Sequence, residues 1–77
     1  MTERIVINPK ILAGKPIIKG TRISVEFVLE LLSSGMSTHN ICKEYPHLTK
    51  EDILAALEYA TQVLRHEEVY PSASQEA

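Results

Sequence analysis

Cysteine occurs once in this 77-residue chain, as Cys42, so an internal disulfide framework is excluded. Long apolar runs are missing too: no stretch approaches the roughly 20 residues needed to cross a bilayer. No charged leader followed by an apolar run opens the chain, and the expectation is a cytoplasmic protein with no membrane association. The length leaves no room for a second core, and a single core of this size supplies about 3 to 5 kcal/mol at most. Self-association as a homodimer is therefore expected. No internal repeat is present. Composition, at 44% hydrophobic and 23% charged, is that of a folded globular protein.

Charge is unevenly spread. Residues 1–24 carry five basic groups against Glu3 alone, whereas residues 25–77 carry three against nine acidic groups, and the formal net charge is −2. Such a split predicts that the N-terminal part meets an anionic partner, while the C-terminal part is solvated or meets a basic one.

"RIVI" (4–7) is a β-branched run stopped by Asn8 and Pro9 and predicts an edge strand, a candidate for pairing with a second copy. In "KILAGKPIIKGTRI", Ile11–Ala13 and Pro16–Ile18 read as two further β-rich pieces, punctuated by Gly14 and Gly20. Ser24 is placed to cap a first helix whose Phe27, Val28, Leu31 and Leu32 recur at helical spacing until Gly35 ends it. Ser37 is placed to cap a short helix from Thr38 to Tyr45, stopped by Pro46. Thr49-x-x-Asp52 is a shortened capping box and opens the longest helix, with Ile53, Leu57, Ala60 and Leu64 on its expected core side and Leu54, Thr61 and Val63 at the flanks, to about Arg65 or His66. One α+β domain over residues 1–67 follows, with short N-terminal strands before a three-helix, helix-turn-helix-like bundle, and with residues 68–77 expected to be a disordered tail.

"GKPIIKGTRI" (14–23) concentrates the basic charge. It does not fit a phosphate-binding loop, because Lys19 precedes the second glycine and no helix begins there. Two readings stay open. Lys15, Lys19 and Arg22 form a grip on a sugar-phosphate backbone, or they are solvated, with Arg22 paired to Glu26 or Glu58 to pin the corner on the helices. In the third helix the first-turn charges Lys50, Glu51 and Asp52 argue against ordinary major-groove readout, since two of the three repel phosphate. His39, Cys42 and His47 fall short of the four ligands of a closed zinc site. No nucleophile context suggests an enzyme, and neither a cofactor nor a metal is expected.

Over residues 11–60 the segments "GKPIIKGTRI", "GMS", "YPHLTKEDI" and an alanine-containing final helix occur in order. The chain thereby resembles the small prokaryotic family catalogued as domain of unknown function 433. The resemblance implies a helix-turn-helix-like fold and an antitoxin, encoded beside small proteins resembling PIN-type ribonucleases. It marks Gly14, Lys15, Pro16, Lys19, Gly20, Thr21 and Arg22 as the distinctive segment, and Gly35, Pro46, Leu48 and Thr49 as turn-formers. The function expected is an antitoxin that binds a ribonuclease-like toxin, with operator DNA as a further partner of the dimer; the competing class is a protein-interaction module without DNA contact.

Overall fold

The computed structural model describes the backbone of residues 3–69 and the side chains of residues 3–65. Two short strands precede three helices: β1 (Ile5–Ile7), β2 (Pro16–Ile18), α1 (Val25–Ser33), α2 (Thr38–Glu44) and α3 (Lys50–Val69). The architecture is α+β, as the sequence predicts. The strands pair antiparallel with Ile5 opposite Ile18, Val6 opposite Ile17 and Ile7 opposite Pro16. Pro16 lacks an N–H and sits at the first position of its strand, where it costs the ladder least.

The piece at Ile11–Ala13 is not a strand. Asn8 turns the chain straight after β1: its side chain accepts from the Lys10 amide (2.9 Å) and its carbonyl from the Ile11 amide (2.9 Å). A tight 3-10 turn then covers Leu12–Gly14, with φ of 51°, 55° and 83° at Leu12, Ala13 and Gly14. The chain reverses here, so β1 pairs directly with β2 and no third strand has a place.

Local capping fixes the helices. Ser24 Oγ accepts from the Phe27 amide (2.9 Å) and Ser37 Oγ from the Asn40 amide (3.1 Å). At the end of α1, Gly35 at φ 101° donates to the Leu32 carbonyl (3.0 Å) and Met36 donates to that of Leu31 (3.2 Å), the paired bonds of a Schellman cap. Tyr45, forced out of helical geometry by Pro46, closes α2 by donating its amide N–H to the Ile41 carbonyl (2.8 Å). Thr49 and Asp52 form the capping box reciprocally: the Thr49 amide reaches Asp52 Oδ2 (3.0 Å) and the Asp52 amide reaches Thr49 Oγ1 (3.1 Å). With no glycine or proline before Pro71, α3 continues through Val69, beyond the expected end at Arg65 or His66. Of the tail expected at residues 68–77, Glu68 and Val69 belong to α3, and residues 70–77 lie outside the described residues.

The core joins Ile18 of β2 to Val25 and Val28 of α1, Ile41 of α2, Leu48 of the turn, and Ile53 and Ala56 of α3. Phe27 and Tyr45 meet edge to face, centroids 5.6 Å apart, and tie α1 to the end of α2. The buried face of α3 is the expected one only at Ile53 and, in part, Ala60. Asp52, Ile53, Ala55 and Ala56 are buried, with Tyr59 and Ala60 half-buried behind them, while Leu57 and Leu64 are 41% and 57% exposed. Small side chains at 55 and 56 let the other elements approach closely, and this rotates the apolar stripe 53/57/60/64 partly out to solvent.

Candidate functional site

β2 leads into a closed corner. The Thr21 amide bonds to the Ile18 carbonyl (3.0 Å) across Gly20, whose φ of 82° occupies the position where a type II turn needs a left-handed residue. Thr21 Oγ1 donates to the Ile18 carbonyl (2.8 Å) and accepts from the Ile23 amide (2.9 Å), and the Ile18 amide donates to the Ile23 carbonyl (2.9 Å). These bonds lock residues 18–23 and put the Lys19 and Arg22 side chains outside. "GKPIIKGTRI" is thus a scaffold corner first: Ile17 and Ile18 are buried, and the basic side chains are what it displays.

The three cations are not equivalent. Lys15 Nζ is paired with Glu26 Oε1 at 3.0 Å, both side chains more than half exposed. That pairing occupies Glu26, one of the two carboxylates expected for Arg22, and Arg22 reaches Glu58 no better: among the described residues it has no ion pair or side-chain hydrogen bond. Lys19 also lacks an ion-pair partner there, but it borders a small depression shared with Glu3, Arg4 and the buried Asp52. Lys15 and Lys19 lie at opposite ends of β2, about 13 Å apart along the strand. Arg22 stands on the wall between two shallow hollows. One, of about 550 Å³, has Val6, Ile11, Ile17 and Ile23 among its apolar lining, with Asn8, Thr21 and His47 beside Arg22. The other, of about 380 Å³, brings Arg22 together with Lys15, Leu12 and Phe27. Lys15 and Arg22 therefore share a face that Lys19 does not.

Asp52 is not presented to a partner. It is 6% exposed, holds the α3 cap and accepts from Arg4 Nη1 at 3.0 Å, so α3 displays Lys50 and Glu51 in its first turn and not two exposed acids. His39 and His47 are exposed and Cys42 is half-buried; no group of three or more metal-ligating side chains converges among the described residues. No described helix is long and apolar enough to cross a membrane.

A second surface was not legible as such in the sequence. Pro16, Val25 and Leu29 face Ala60, Val63 and Leu64 across a groove of about 330 Å³ between α1 and the C-terminal half of α3. Among the described residues its one charged lining residue is Glu26. The signal available was the surplus of apolar residues along α3, more than one buried face can absorb.

Residues 5–60 match the family model described as "Protein of unknown function (DUF433)". The chain belongs to the DUF433 family. A DUF433 member from Anabaena variabilis ATCC 29413, known from a crystal structure, is 30% identical and superposes with a TM-score of 0.74, over 94% of this chain and 69% of that one. An uncharacterized protein of Sinorhizobium fredii, y4eO, is 34% identical over 58 residues, which are 75% of this chain and 26% of that protein. The chain thus spans about a quarter of the length of that curated relative. The matched range takes in the whole Gly14–Arg22 corner and the first half of α3, and ends before Val63 and Leu64.

Proposed function

We propose that this DUF433 chain is the non-catalytic antitoxin of a toxin–antitoxin pair, which restrains a small ribonuclease-like toxin through the groove between α1 and α3. The observation that carries this reading is the groove itself. A chain with so small a core leaves Val63 and Leu64, 40% and 57% exposed, beside Leu29 and Pro16 in a channel whose described lining carries one charge, Glu26. Apolar channels of this kind receive an amphipathic helix or an extended segment of a partner. Leu54 and Leu57 stay outside it. The Gly20–Arg22 corner is the nucleic-acid side of the same protein, with Arg22 as its principal contact and the chain acting as a dimer. The turn from α2 into α3 is consistent with a helix-turn-helix-like module, and the burial of Asp52 removes one of the two acidic charges that weighed against DNA.

A protein-interaction module without DNA contact is the second reading, favoured by the engagement of Lys15 with Glu26. The two are separated by the ribonuclease activity of the protein encoded beside this gene, titrated with this chain, and by binding to the DNA upstream of the gene. Inhibition at a fixed stoichiometry is expected, abolished by Val63→Glu. A neighbouring protein that cleaves RNA undiminished in the presence of a folded excess of this chain contradicts the antitoxin reading.

A further inference from the structure

α3 carries a second apolar line, which shares Leu64 with the groove and otherwise lies outside it. Leu54, Leu57, Thr61 and Leu64 are spaced three, four and three residues apart, the rhythm of the seam positions in a two-stranded coiled coil. Leu54, Leu57 and Leu64 are 52%, 41% and 57% exposed, so the described chain leaves about half of each in water. Thr61, its one polar member, donates its hydroxyl to the Leu57 carbonyl at 2.9 Å and so has a partner within its own helix.

We propose that this line is where a second copy of the chain docks, with the two α3 helices antiparallel. In that register Leu54 meets the second copy's Leu64, and Leu57 meets its Thr61. Charge supports the choice of occupant and of direction. The residues flanking the seam on one side are Glu51, Glu58 and Arg65. Antiparallel pairing places Glu51 of each copy by Arg65 of the other, giving two opposite-charge contacts, and sets Glu58 near its own equivalent at the twofold axis. Parallel pairing sets these charges opposite Ile53 and Ala60 and gains nothing from them. The alternative edge, β1, is three residues long and offers a much shorter run of unpaired backbone groups. The proposal rests on the dimeric state in the reading above and supplies its interface.

Sedimentation velocity of the full chain over a micromolar to millimolar range tests it. The wild type sediments as a dimer, and Leu57→Glu as a monomer with unchanged helicity, because residue 57 is already partly in water. Arg65→Glu weakens dimerisation about ten-fold at low salt, by loss of two attractions and gain of two repulsions. Glu51→Arg combined with Arg65→Glu restores it. Residues 51 and 65 lie about 21 Å apart along one helix, so that rescue arises only between copies. Glu58→Gln tightens the dimer. A wild type that is monomeric throughout, a dimer indifferent to Leu57→Glu, or a double variant no better than Arg65→Glu overturns the proposal. Leu64 is common to the seam and the groove, but none of the substituted residues lines the groove, so the groove reading is probed separately with Val63→Glu.

Discussion

Arg4 and Asp52, 48 residues apart in sequence, meet at 3.0 Å and join the strand end of the molecule to the start of its longest helix. The two contribute unequally. Asp52 also accepts from the Thr49 amide and its side chain is 9% exposed, whereas that of Arg4 is 51% exposed. Asp52→Ala is expected to cost about 1 to 2 kcal/mol for the cap alone. Arg4→Ala, on the half-exposed partner, should cost about 1 kcal/mol or less. Urea denaturation of both variants and of the double variant measures the coupling; an Arg4→Ala loss larger than that of Asp52→Ala contradicts this ranking.

The corner separates scaffold from display. Gly20→Val is expected to destabilise by about 1 to 2 kcal/mol, since φ at Gly20 is 82° and a β-branched side chain is strained there even though no atom lies within 4 Å of the added Cβ. Ala13 already holds φ 55° with a side chain, so Ala13→Gly relieves strain and should be neutral or stabilising by up to about 1 kcal/mol. Thermal melts of the two variants moving in the same direction would contradict the assignment.

Among the displayed cations, Arg22→Ala should leave stability within about 0.5 kcal/mol. Lys15→Ala loses an exposed pair worth about 0.2 to 1 kcal/mol. On DNA, with Arg22 the uncommitted cation of its face in each copy of a dimer, the log affinity should fall with log salt at a slope of about −2, and Arg22→Ala should bring that slope near zero. A slope unchanged by Arg22→Ala removes the corner from the nucleic-acid interface.

What was readable in the sequence is what neighbouring residues decide among themselves. Ser24, Ser37, Gly35 and the Thr49–Asp52 box make hydrogen bonds within a few residues, and each was placed correctly. The failures are non-local. Ile11–Ala13 has strand-like composition, yet the Asn8 turn leaves it no strand to pair with. Arg22 was an ion-pair candidate for Glu26, but the fold brings Lys15 there first. On α3, two apolar lines compete for the core, and the small residues Ala55 and Ala56, which attract little notice in a hydrophobic pattern, decide which one turns inward. The groove and the Leu54–Leu64 line are the remainder left outside.

The most direct test of the central claim is the RNA-cleaving activity of the protein encoded beside this gene, assayed against increasing amounts of this chain and of its Val63→Glu and Leu57→Glu variants, all shown folded by circular dichroism. The account predicts that the wild type silences the activity at a fixed ratio and that Val63→Glu does not. Leu57→Glu, which alters only the dimer seam, should still silence it. Cleavage that proceeds unchanged with the wild type, or that Val63→Glu suppresses as well as the wild type does, contradicts the claim that the α1–α3 groove is the toxin-binding site of a DUF433 antitoxin.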